Sequence, residues 1–273
     1  MSVALRHDAG ARWLGRLRGI ALLSCVLAGL SNQGSGETPA GAASPDDGRR
    51  TLGRLPINLG RGLVGVFHSD NLVPLLVGGT AAGGASLLDQ DVRDSVANPG
   101  SGFGKFTETA GAWPSAVVGA GLFTAGRFAH GQRFRAMSYD LADAMIVTGG
   151  YTQLLKAAVG RERPDGSNNK SFPSGHASNA FSMATVLERH YGWKAGVPAY
   201  ALASVIGYSR IVQDKHYLSD VVAGAALGYI VGRTVVRVND RPLDRPPGQQ
   251  GLTWSVSPLL ARQAGGLEVS VGF

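Results

Sequence analysis

The chain has 273 residues and a formal net charge of +7, with 44% of its residues hydrophobic and 16% charged. That balance excludes a disordered protein and gives one main domain enough apolar surface for a sizeable core. Met1 to Ser31 carries Arg6, Arg12, Arg16 and Arg18 against Asp8, so +3 of the charge lies there and +4 in the rest. With no arginine-rich block interleaved with aromatics, nucleic-acid binding has little support.

The first 31 residues are expected to be a signal peptide or N-terminal anchor. The arginines precede GIALLSCVLAGL (Gly19 to Leu30), an apolar run of about a dozen residues, which is short for a membrane span and suited to export. An exported protein of the periplasm or cell envelope is therefore expected. Cys25 is the one cysteine, so an internal disulfide and a cysteine-based metal site are both excluded. Its setting, LLSC, has two readings, a lipid-anchor site or an ordinary cysteine of the apolar run, and the run's continuation beyond Cys25 favours the second. Residues 32–60, rich in Gly, Ser, Pro and Ala, are expected to form a flexible linker.

Apolar stretches then recur at Asn71–Leu88, Ala112–Phe128, Ala136–Val159, Ala177–Tyr191, Val197–Val212 and Leu218–Val238. In the last, Val221, Val222, Ala225, Ala226 and Tyr229 repeat with helical spacing. The fold class expected is all-α, a six-helix bundle over residues 61–238. Uncharged runs such as Leu72–Leu88 reach about 17 residues, just under a span. With a mean hydropathy of only +0.04, a soluble or peripherally attached bundle is favoured over one that spans a bilayer. Residues 239–250 read as a proline-rich linker, and 251–273, where Leu252, Trp254 and Val256 and then Leu267, Val269, Val271 and Phe273 alternate with other residues, as a small C-terminal β-hairpin.

The chemistry-bearing residues lie between Lys156 and Asp220. KAAVGRERP places Lys156 and Arg163 beside a helix-ending Pro164. PSGH follows, in which Pro173 fixes the entry, Gly175 allows close backbone approach and the helix N-terminus presents unpaired N–H groups, an anion cradle with His176 in reach. Taken alone, PSGH is equally an N-cap with an incidental histidine. In SRIVQDKHYLSD, Arg210 ends one helix, His216 opens the next and Asp220 stands one turn on, so a carboxylate can hold one ring nitrogen and leave the other as a nucleophile or metal ligand. Taken alone, His-x-x-x-Asp is more often a surface pair. His7, His68, His130 and His190 match no motif and read as surface or core histidines.

Together, Lys156…Arg163-Pro164, Pro173-Ser174-Gly175-His176 and Ser209-Arg210…His216…Asp220 resemble, in order and spacing, the three signature motifs of the type 2 phosphatidic acid phosphatase (PAP2) superfamily, related to bacterial non-specific acid phosphatases and vanadium haloperoxidases. The resemblance implies a helical bundle whose motifs converge on one phosphate site. It implies that His216 attacks phosphorus, oriented by Asp220, and that His176 protonates the leaving alkoxide and then activates water. Lys156, Arg163 and Arg210, with the Ser174 hydroxyl and the Gly175 N–H, would surround the phosphate oxygens. No metal or other cofactor is implied, because side-chain cations suffice for a phosphoryl group. The implied substrate is a phosphomonoester or diphosphate, either a small molecule or an envelope lipid. Two other readings stand beside it: a vanadate-dependent haloperoxidase, and a non-catalytic envelope protein.

Overall fold

A computed structural model describes residues 49–111, 115–240, 253–261 and 264–272. The expectations for residues 1–31, for Cys25, for most of the first linker and for all but the first two residues of the proline-rich linker lie outside the described residues.

Nine helices appear among the described residues: α1 (Leu55–Gly65), α2 (Leu72–Ser86), α3 (Asp89–Val96), α4 (Gly102–Gly111), α5 (Ser115–Phe128), α6 (Gln132–Val159), α7 (Gly175–Tyr191), α8 (Trp193–Val212) and α9 (Leu218–Asp240). The six apolar stretches correspond to α2 and α5 to α9, so the expected count omits α1, α3 and α4. α3, with the sequence DQDVRDSV, is too short and too charged to show as an apolar period. α1 begins inside the stretch assigned to the linker. It is held there by a contact distant in sequence: Arg50, only 8% exposed, donates to both Asp140 carboxylate oxygens at 2.9 and 2.8 Å. After the bundle, strands β1 (Thr253–Ala261) and β2 (Ala264–Gly272) pair antiparallel, with Thr253 opposite Gly272 and Ala261 opposite Ala264.

α9 is the central element, packed against α1, α2, α6, α7 and α8. Phe181, Ala177, Leu218, Val221 and Val222 fill the core at the end where α7 and α9 begin. Val147, Leu141, Val186, Val231 and Val235 fill a second core further along. Between α7 and α9 the backbones nearly touch. A Cβ on Gly224 would stand 2.6 Å from the Ser174 carbonyl oxygen, one on Gly228 2.2 Å from that of Ser178, and one on Gly232 2.8 Å from that of Ser182. These glycines recur every fourth residue and meet carbonyls that also ascend by four. The two helices therefore run parallel, and their N-termini lie side by side.

α9 is long and apolar enough to cross a membrane, but 67% of its apolar window is buried inside the protein, as in the core helix of a bundle. Apolar side chains are exposed on α2 (Leu72, Val73, Leu76) and on α8 (Trp193, Val197, Leu202).

Gly228→Ala should lower Tm, because the methyl group forces apart two backbones that cannot yield as a side chain can, at a cost of about 1–3 kcal/mol. Gly79→Ala in α2, where a Cβ meets nothing within 4 Å, should leave Tm unchanged or raise stability by up to about 1 kcal/mol through helix propensity. Thermal unfolding of the two variants checks the contrast; equal effects would show that the α7–α9 approach can relax.

Candidate active site

Three helix ends and two turns meet where α7 and α9 begin. α6 ends at Gly160, in the left-handed region with φ 59°, and Lys156 lies in its last turn. The Lys156 ammonium donates to the Lys170 carbonyl, which folds residues 160–174 back over the helix end. Within that segment the Ser171 N–H donates to the Arg161 carbonyl and the Arg163 N–H to the Asn168 carbonyl, both at 2.9 Å.

Ser174 is the N-cap of α7, yet its hydroxyl makes no capping bond. Instead its N–H donates to the Asp220 carbonyl at 2.9 Å, joining the start of α7 to the first turn of α9. Ser174 Oγ is buried without a hydrogen-bond partner in the protein, and so is Arg163 Nε. Gly175 is the first residue of α7 and His176, half-buried, the second. Arg210, in the last turn of α8, donates to Gln213 Oε1, and Gln213 in turn donates to Thr107 Oγ1 at 2.8 Å.

His216 lies in the turn that precedes α9 rather than in the helix. The expected one-turn stacking on Asp220 is thus replaced by a different geometry. Asp220 is the third residue of α9, and its Oδ2 accepts the Tyr217 N–H at 2.9 Å, satisfying a donor at the helix start as an acidic third residue does in a capping box. The same oxygen accepts the Ser171 hydroxyl at 2.5 Å and stands 3.8 Å from His216 Nδ1. That separation exceeds a hydrogen bond, and Nδ1 is the ring nitrogen that faces the carboxylate.

Burial pushes His216 below the usual histidine range, further than Asp220 pulls it up, with Lys156 and Arg210 opposing its charging. The imidazole is therefore held in its neutral form at neutral pH. Asp220, fully buried, is driven upward by burial, but His216, Ser171, Arg161 and the Tyr217 N–H together hold it below its ordinary value. Lys156 is lowered to about 8, first by burial and then by the charge of Arg163.

The residues singled out by sequence are thus gathered at one end of the bundle. The supporting contacts were not foreseen. Asp89, the first residue of α3, accepts from the Ser219 N–H and hydroxyl at 2.8 and 2.7 Å and from Arg161 Nη2 at 2.8 Å. Arg93, one turn further, donates to Asp214 at 2.8 and 2.9 Å and to the Pro164 carbonyl at 2.6 Å. Asp214 has φ 56°, a left-handed conformation that aspartate adopts more readily than most residues. α3 therefore braces both motif-bearing loops. Only Arg161 carried a signal in the sequence, as the cation two residues before Arg163. Among the described residues no three His, Cys, Asp or Glu side chains form a metal-binding set.

Residues 139–243, a stretch running from within α6 past the end of α9, match the family described as PAP2 superfamily. The chain is 40% identical over 107 residues to the lipid A 1-phosphatase of Porphyromonas gingivalis, covering 38% of this chain and 24% of that protein. It is 33% identical over 101 residues to the lipid A 4'-phosphatase of Helicobacter pylori, covering 33% and 51%. It is 36% identical over 91 residues to the decaprenylphosphoryl-5-phosphoribose phosphatase of Mycobacterium tuberculosis, covering 30% and 50%. The chain thus spans between a quarter and about half of the length of these relatives. No solved structure matches it.

Anion affinity at this site should fall as pH rises through about 8, because Lys156 is charged below its lowered pKa and neutral above it. Calorimetry of inorganic phosphate binding between pH 7.5 and 9.5, where the ligand is largely a dianion, checks this. Lys156→Arg, whose guanidinium stays protonated, should remove the decline; a decline that persists in that variant would assign it to another group.

Proposed function

We propose that the protein is a phosphatase of phosphate esters or diphosphates, with envelope lipids as the substrate class, working through a phosphohistidine at His216. The observation that carries the reading is the meeting of a neutral, buried imidazole backed by Asp220 with a partnerless buried hydroxyl at Ser174 and a partnerless guanidinium nitrogen at Arg163. Buried polar atoms are normally satisfied. A phosphoryl group, with several acceptor oxygens, would supply the partner that each lacks.

Nδ1 faces Asp220, so Nε2 is the nitrogen left for phosphorus. In the first step its lone pair forms the N–P bond while the P–O bond to the leaving group breaks, and His176 donates a proton to the departing alkoxide. In the second step His176 removes a proton from water, the new P–O bond forms, and the N–P bond returns its electrons to His216. Lys156, Arg163 and Arg210 offset the charge on the equatorial oxygens, together with the Ser174 hydroxyl and the Gly175 N–H at the positive end of α7. The names of the relatives support lipid-linked substrates, and the exposed apolar residues of α2 and α8 suit attachment to a lipid surface of the cell envelope.

Phosphate release in excess EDTA from a panel of lipid A, phosphatidate, a polyprenyl diphosphate and a water-soluble ester tests the reading. Turnover of at least one lipid substrate is expected; none on any member would overturn it. His216→Ala should abolish turnover and the label that an alkaline detergent quench traps on wild type. His176→Ala should slow alkyl or lipid esters by roughly 10²-fold or more, the scale of lost acid catalysis. With p-nitrophenyl phosphate, whose leaving group needs little proton help, the same variant should give a fast burst and then slow release. An equally slowed burst would reduce His176 to a phosphate ligand.

A further inference from the structure

Arg161 lies within the stretch of the first motif but is not one of its named positions, yet it joins Asp220, Ser219 and Asp89 next to the candidate nucleophile. Its Nη1 donates to Asp220 Oδ1 at 2.8 Å and to the Ser219 hydroxyl at 2.7 Å. Its Nη2 donates to Asp89 Oδ2 at 2.8 Å. Its guanidinium lies 4.1 Å from the centroid of the Tyr217 ring, which fixes the plane of the fork. Asp89, 5% exposed, is itself held by the N–H and hydroxyl of Ser219 at the start of α9.

We propose that Arg161, clamped by Asp89, is the positioning residue that fixes the Asp220 carboxylate, ionised and oriented, against His216. For its role in turnover the proposal rests on the phosphatase reading above. Asp220 uses Oδ1 for Arg161 and Oδ2 for Ser171 and Tyr217, so its plane is set from both sides. Asp89 supplies the second half of the device. Arg161 paired with Asp220 alone would cancel the charge that His216 requires as it becomes positive on bonding to phosphorus. With Asp89 included, the group keeps one net negative charge. Its distance from His216 is set by three elements: the 160–174 segment, α3 and the first turn of α9.

The charged and titratable groups that face Asp220 are Arg161 from the 160–174 segment, His216 from the turn before α9, and Asp89 from α3 across Arg161. Lys156 at the end of α6 adds a positive field from further off. α7 presents the Ser174 N–H to the Asp220 carbonyl and carries the titratable His176 in its first turn, and Arg210 of α8 acts on His216. Arg161 is therefore the cation in direct contact with the carboxylate, and its removal should make Asp220 protonate at higher pH.

The experiment uses the full chain with Arg161→Gln, which keeps donors and loses the charge, and Arg161→Lys, which keeps the charge but cannot reach both carboxylates. The midpoint of the Asp220 carboxyl, followed by 13C NMR and assigned through Asp220→Asn, should rise by about one pH unit or more in Arg161→Gln, and by less in Arg161→Lys. The acid limb of kcat/KM should move up with it, so that kcat near the wild-type limb falls about tenfold or more, while KM changes little because Arg161 is not a phosphate ligand. A rate lowered equally at all pH, or a raised KM with kcat intact, would overturn the proposal. An unmoved midpoint in whichever variant folds would do the same. If wild type turned over no phosphorylated substrate, the phosphatase reading would fall, and the carboxyl titration would still decide what Arg161 does to Asp220.

Discussion

The backbone approach of α9 to α7 is the constraint from which the site follows. Three glycines on α9 meet three carbonyls on α7, which excludes any side chain from the seam and makes the helices parallel neighbours. Parallel neighbours have their N-termini at one end, and each N-terminus is a positive pole with unpaired N–H groups. α6, antiparallel to α7, delivers Lys156 to that end, and the antiparallel return of α8 delivers Arg210. A concentration of positive charge at that end is thus a consequence of how these four helices are laid together.

The opposite end of the bundle is organised by the reverse charge. Asp140, with no exposed surface, accepts from Arg50, His190 and Asn239, and Asn239 also bonds Asp143, whose carboxyl burial raises to about 7. His190 and Asn239 lie at the C-terminal ends of α7 and α9. Arg50 binds the entering chain to this cluster. The seam is therefore held from both ends, by a buried acid-centred network at one and by the Asp220 contacts at the other. A shift of α9 along α7 would have to break both.

Much of the site could be read from the sequence, because the chemistry is carried by short motifs with fixed residue types: Lys156 and Arg163 around a helix stop, Ser174-Gly175-His176 at a helix start, His216 and Asp220 four apart. Six of the helices were visible as apolar stretches for the same local reason. What stayed hidden was long-range. α3 is a two-turn charged helix whose purpose appears only when Asp89 reaches Ser219, 130 positions away, and Arg93 reaches Asp214. Nothing in DQDVRD distinguishes that from a solvated surface. α1 was hidden because the residue that anchors it, Arg50, stands in a stretch of linker composition and finds its partner 90 positions on. The position of His216 outside the helix was hidden because spacing alone does not reveal where a helix begins, and one carboxylate can cap the helix and face the imidazole at once.

The supporting contacts also complete the electrostatics. In the proposed site the cradle supplies three cations, Lys156, Arg163 and Arg210, and the Asp89, Arg161 and Asp220 group supplies one net negative charge. A phosphate monoester brings about two more at neutral pH. These charges cancel, leaving only the proton on His176 in excess, so a substrate can leave water for a half-buried site without importing an unbalanced negative charge. In the proposed reaction the balance would then change: positive charge would grow on His216 beside the anionic group, and negative charge on the leaving oxygen, away from it. The first is stabilised where it appears, by Asp220. The second has no fixed cation assigned to it and requires a mobile one, which is the proton on His176. On this account the leaving group, and not the phosphate, is where substrates of different chemistry should make different demands on the enzyme.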